Sequence, residues 1–166
     1  MDITAILQSL EAMTVASWVR ESDWAFPMIE SVHVIALVLV FGTIAIVDLR
    51  LLGMPTTSVA FTAIARDCLL WTWAAFGLAV ITGALMFVAN ATSYYDNFPF
   101  RMKMLCLVLA GINMAVFELV TFRGVSRWDK DHPVPIAGKI AGTLSLTFWI
   151  ATITFGRWIG FTKVPF

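Results

Sequence analysis

Four long apolar runs dominate this chain and restrict what it can become. The interior of the first, Ser31 to Val47, carries no formal charge, and neither does the stretch from Cys68 to Tyr95. About twenty residues at about 1.5 Å rise cross a hydrocarbon layer of about 30 Å, and each run is long enough. Lipid cannot satisfy exposed backbone groups, so such segments must be helices. The expected fold is all-α: an integral membrane four-helix bundle forming a single transmembrane domain over residues 1–166. The spans are placed at 26–52, 68–89, 98–122 and 135–161.

Composition agrees. Of 166 residues, 60% are hydrophobic and 13% charged, whereas soluble domains are nearer half and a quarter. Eleven basic and eleven acidic residues cancel, leaving no net field to attract nucleic acid. No Gly-rich phosphate loop, HExxH or GxSxG motif is present. Cys68 and Cys106 fall at different depths on different helices, which argues against a disulfide between them.

Boundary residues mark the same segments. Gly53 and Pro55 break the first helix, and Thr56, Thr57 or Ser58 can cap the second, which then starts ahead of the membrane near Ser58. Asn97 and Pro99 open the third helix, Arg123-Gly124 closes it, and Pro133 and Pro135 prepare the fourth. Ahead of the spans, Ile3, Ile6, Leu7, Leu10, Met13 and Trp18 recur at helical spacing. They predict an interfacial amphipathic helix over about 3–19. Asp2 and Glu11 distinguish it from a signal peptide.

Four spans put both termini on one side. The loops after spans one and three, with their flanks, hold Arg50, Arg66, Arg123, Arg127, Lys130 and Lys139. The opposite side holds Arg20, Arg101, Lys103, Arg157 and Lys163. Six against five leans the termini away from the cytoplasm. That side is called outer below.

Charges within the helices follow a pattern. Glu30 and Asp48 are eighteen residues apart, five turns, and share a face with His33, Leu37, Phe41 and Ile44. Lys139 and Arg157 have the same separation on the fourth helix. With the two helices running oppositely, Glu30 lies at the depth of Arg157 and Asp48 at that of Lys139. Two structural ion pairs are one expectation; four boundary charges snorkelling into headgroups are the other. Ala75, Ala79 and Gly83 recur every four residues on helix two and invite close helix approach.

One cluster can carry chemistry. His33 is the histidine within a span, about two turns from the outer boundary. Glu30, Lys103 and Arg157 share its depth as cofactor-binding candidates, and Met86, Met102 and Cys106 offer sulfur for a metal. Imidazole with thioether or thiolate suits copper, and imidazole alone suits haem iron. Against this, a histidine one turn from Glu30 can remain a buried structural residue, and methionine is a common apolar filler. His132 lies in the loop on the opposite side, which disfavours a bis-histidine haem within one subunit.

The stretch Glu30-Ser31-Val32-His33 through Gly42 to Asp48-Leu49-Arg50-Leu51-Leu52-Gly53, with Phe155-Gly156-Arg157-Trp158-Ile159, resembles an uncharacterised family of small four-helix bacterial inner-membrane proteins. More distantly, His33 followed nine residues later by Gly42 resembles the copper-resistance protein D group and small haem-associated membrane proteins. The first resemblance implies the bacterial inner membrane and carries no established activity. The expected function is a non-enzymatic multi-pass protein, a subunit or accessory of a membrane redox complex with haem b or copper near His33. The alternative is a small carrier or channel using the polar bundle interior; an enzyme ranks third, because no nucleophile–base set is visible. The lipid bilayer is the expected partner, joined by other membrane subunits or further copies of the chain.

A cysteine placed at Leu37 or Ile150, in a chain otherwise free of cysteine, should resist a water-soluble maleimide. Rapid labelling at either position from the aqueous phase contradicts the span assignment.

Overall fold

The computed structural model describes residues 2–54 and 56–162, so Pro55 and Lys163 lie outside the described residues. Among the described residues all regular structure is helical, without a strand. Two short helices, α1 (Ile3–Glu11) and α2 (Thr14–Glu21), precede the long α3 (Ala25–Leu51) and α4 (Phe61–Ala89). A short α5 (Ala91–Asp96) leads into α6 (Phe98–Val116), and α7 (Ile136–Thr162) ends the described chain. Past Val116, α6 continues as a π-helical turn, Phe117–Thr121, and a 3-10 turn, Phe122–Arg127. Four helical segments are long and apolar enough to cross a membrane: Ala25–Leu51, Phe61–Ala89, Phe98–Arg127 and Ile136–Thr162.

Local chemistry sets several ends. Asn97 Oδ1 accepts the Phe100 N–H at 3.1 Å to cap α6, with Pro99 in the first turn. Helix α3 stops at Gly53, whose φ of +85° suits a residue without Cβ. There the Gly53 N–H donates to the Arg50 carbonyl at 3.1 Å and the Met54 N–H to the Leu49 carbonyl at 2.9 Å, the paired bonds of a Schellman cap.

The second long helix begins at Phe61, ahead of Cys68 as expected, but three residues past Ser58 and without a cap from Thr56, Thr57 or Ser58. Its start is set from another loop: Asp129 accepts the Phe61 N–H on its carbonyl at 2.9 Å and the Thr62 N–H on Oδ1 at 2.8 Å. The Thr62 hydroxyl adds a bond to Oδ2 at 2.9 Å. Asp129 thus acts as an N-cap delivered through space. The single interfacial helix expected over 3–19 is instead two helices, broken at Ala12–Met13. Both pack against α4, and α1 also against α5. Glu11 accepts the Thr92 N–H of α5 at 2.8 Å, whereas Arg20 of α2 donates to the Ala89 carbonyl of α4 at 3.1 Å.

The long helices pack α4 on α3, α3 on α7, and α7 on α6. On the α3–α4 seam small residues let the helices close: Ala36 is fully buried, and Ala75 and Ala79 are buried opposite. Val40, Ala75, Ala110 and Trp149, one from each long helix, form the central core cluster. Helices α4 and α6 meet through rings: Phe87 stacks on Phe100 at 5.6 Å, and Phe61 meets Phe117 edge-on at 5.9 Å.

The inner end is closed by a second core of Leu51, Phe61, Ala65, Trp128 and Val134. Above it sits Arg50, only 2% exposed. Its Nε donates to the Val59 carbonyl at 2.9 Å, and Nη2 to the carbonyls of Asp129 at 2.8 Å and Thr57 at 3.3 Å. The Asp131 N–H, on a residue at φ +56°, returns a bond to Thr57 at 2.9 Å. One guanidinium therefore ties α3 to both inner loops.

Replacing Asp129 with Ala removes two acceptors from the start of α4. It should lower stability by about 1–2 kcal/mol, read by thermal unfolding in detergent, while Asp129→Asn should lose less.

Candidate functional site

His33 lies in the third turn of α3 and turns its ring towards α4. Nδ1 is 2.9 Å from the Thr82 hydroxyl, which is itself 2.8 Å from the Leu78 carbonyl one turn back. A hydroxyl has one proton, and in helices threonine commonly gives it to the carbonyl four residues earlier. Nδ1 can then donate to Thr82, and the Ala79 carbonyl is also within hydrogen-bonding reach of the ring. Gly83 makes the seat. A Cβ there would stand 3.1 Å from His33 Cε1, so the ring rests where any side chain would project.

Lys103 reaches this region from α6. Its aliphatic stem and ammonium lie along Gly156 of α7, where an added Cβ would be 3.7 Å from Cδ, Cε and Nζ. Its charge bears on the His33 ring. Imidazole and ammonium thus lie near the same end, close enough for the charge of one to act on the other, each in a space kept by a glycine.

Glu30 and Arg157 stand apart from this pair. Glu30 is exposed, and its charge bears on Tyr94 of α5. Arg157 places its guanidinium carbon 5.3 Å from the Phe161 ring centroid, a cation–π distance. Met86, Met102 and Cys106 are half-buried, on α4 and α6. Met86 stands one turn beyond Thr82, and Cys106 one turn beyond Lys103. Among the described residues no three of His, Cys, Asp and Glu converge closely enough to hold a metal ion. Cys68 and Cys106 are free thiols. His132 is exposed, its Nδ1 2.8 Å from the Lys130 carbonyl.

The expected ion pairs Glu30–Arg157 and Asp48–Lys139 are corrected. Among the described residues the ion pair within 4.0 Å is Arg66–Asp67, at 3.6 Å on the surface. Helices α3 and α7 do pack together. Their inner contact, however, is made by backbone at Gly142, where an added Cβ would be 3.1 Å from the Asp48 carbonyl oxygen. Asp48 is buried against α7 with the Ser145 hydroxyl beside its carboxyl, and Lys139 points outward. At the other end both heads reach the surface, where water solvates them better than each other.

Sequence reasoning missed Thr82, Gly156, Arg50 and Asp129 as positioning groups. Thr82 had a usable signal, since it adjoins Gly83 on the small-residue face. Arg50 had a weaker one, a basic residue between Leu49 and Leu51.

Fold and site together describe an all-helical protein with four helices suited to crossing a membrane and a histidine–lysine pair near one end. The chain belongs to a family of unknown function, DUF6644, which matches residues 25–162. No curated protein matches it, and no solved structure does. The likeness to copper-resistance and haem-associated groups is not among these findings.

Burial and the nearby Glu30 charge push the Tyr94 phenol up to about 12 from 10.0. Since the folded value is the higher, stability is unaffected below about 10 and falls as pH rises towards about 12. Ultraviolet titration should show one of the two tyrosines ionising late, a component that Tyr94→Phe removes.

Proposed function

We propose that this chain is a non-enzymatic multi-pass protein of the bacterial inner membrane, acting as a subunit or accessory of a redox complex, with His33 as a haem ligand. One observation carries the reading: the imidazole held through Nδ1 by Thr82, within range of the Lys103 charge. A hydrogen bond to the far ring nitrogen is how a ligating histidine is usually oriented. A fixed cation beside the ring opposes a bare copper ion and suits a group bearing carboxylates, as haem does. The residues therefore meet the chemical requirement for haem better than for copper.

His33 lines neither of two open cavities at the surface of the bundle. One lies between α6 and α7 beside the π-helical turn, around Asn113 and Phe117, and the other surrounds Arg157 and Phe161. The proposal accordingly places the group at the edge of the bundle, where another subunit or copy completes its surroundings. Met86, Met102 and Cys106 are the sulfur donors this chain offers near that edge. When bound, haem supplies one-electron chemistry; Thr82 orients His33, and Lys103 offers a counter-charge. In this reading α1 and α2 lie in the outer interface, with Ile3, Ile6, Met13 and Trp18 exposed for headgroup contact. The termini are placed outside the cytoplasm by the charge count alone.

Absorption spectroscopy with metal analysis of the purified protein tests this. A Soret band at near-stoichiometric iron is expected, lost in His33→Ala with helical content retained. Thr82→Val should weaken retention about 10–100-fold. Stoichiometric copper without a Soret band transfers the site to copper, and neither removes the cofactor role.

A further inference from the structure

We propose that Asp48 and Ser145 form a second site, at the crossing of α3 and α7, for a small monovalent cation. It lies fifteen residues from His33, about 22 Å along α3, and does not depend on the His33 reading.

Asp48 is 4% exposed, and its Oδ2 is buried without a hydrogen-bond partner. The Ser145 hydroxyl stands beside the carboxyl. The same turn of α7 is gripped from its other side by Asn113 of α6, whose amide donates to the Ala141 carbonyl at 2.9 Å. Gly142, between them, brings α7 against the α3 backbone. Three helices thus place polar groups at one turn, inside segments otherwise apolar.

No fixed cation answers the carboxylate. Arg50, two residues on, directs Nε and Nη2 to the carbonyls of Thr57, Val59 and Asp129, and its buried Nη1, though without a partner, makes no ion pair with Asp48 within 4.0 Å. Lys139 of α7 is exposed and outside 4.0 Å, and Lys103 of α6 is engaged beside His33. Glu118 of α6, also exposed, has the wrong sign. An unpaired buried charge costs several kcal/mol, and a buried polar atom without a partner calls for an occupant. Sodium ion and proton both answer an orphaned carboxylate oxygen, and a hydroxyl beside it is an oxygen ligand for either.

The experiment uses the full chain in detergent, with thermal unfolding compared in sodium chloride and choline chloride at equal ionic strength. Infrared difference spectra follow the carboxyl in the same samples. A saturable, sodium-specific rise of several degrees, absent in Asp48→Asn and reduced in Ser145→Ala, supports the site with sodium as occupant. No sodium response, with a protonated carboxyl band that exchanges in deuterium oxide and disappears in Asp48→Asn, supports it with the proton. Equal unfolding in both salts, with either no such band or one that never exchanges, overturns the proposal. If Asp48→Asn fails to fold, the wild-type salt response and Ser145→Ala decide between these outcomes.

Discussion

The guanidinium of Arg50 holds the inner half of this molecule together. A charge so deeply buried costs several kcal/mol unless its donors are answered; here backbone carbonyls from two different loops answer Nε and Nη2, while Nη1 is buried without a partner. The arrangement solves two problems at once. It compensates the cation, and it satisfies carbonyls at a helix end where apolar residues exclude water. Asp129 extends the network by offering its carbonyl to Arg50 and Phe61 and its carboxylate to Thr62. The start of α4 is thereby coupled to the end of α3 and to the loop before α7. Phe61, whose N–H bonds to the Asp129 carbonyl, packs its ring against Phe122 and Trp128.

From that end α3 runs as the hub, against α4 on one flank and α7 on the other. The two seams use different devices. Against α4 it combines alanines with side-chain bonds at two levels, Thr43 to Thr72 at 2.7 Å and His33 to Thr82 at 2.9 Å. Each threonine also bonds its own helix backbone, so the seam leaves those hydroxyls satisfied in apolar surroundings. Against α7 the approach rests on Gly142, and the polar group there, Asp48, keeps an oxygen without a partner. One seam is saturated and the other is not. That difference sets the bonded His33 ring apart from the Asp48 carboxyl, whose Oδ2 has no partner.

Much of the architecture was legible beforehand. The four long apolar helices, the Asn97 and Gly53 boundaries, and the small-residue face of Ala75, Ala79 and Gly83 are consequences of composition along a line. The site was legible only in part. His33 stood out because an ionisable ring in an apolar run is rare, and Lys103 because it shares that depth. Thr82 passed unremarked among apolar neighbours, and the pairing of Glu30 with Arg157 was an inference from spacing that geometry did not uphold. Spacing of eighteen residues fixes azimuth and depth, yet says nothing about how far a long side chain swings. At a helix end, water competes for the charged head.

What the sequence determined by itself is therefore the helical class, the count of long segments and their approximate limits. Those follow from hydrophobic length and cap chemistry, which are local properties of the chain. Only the tertiary structure decided that the N-terminal segment breaks in two, that Asp129 caps a helix some seventy residues earlier, and that Arg50 is interior. Each of these joins backbone groups distant in sequence. Such bonds depend on how helices cross and where loops fold back, and no periodicity along the chain encodes that.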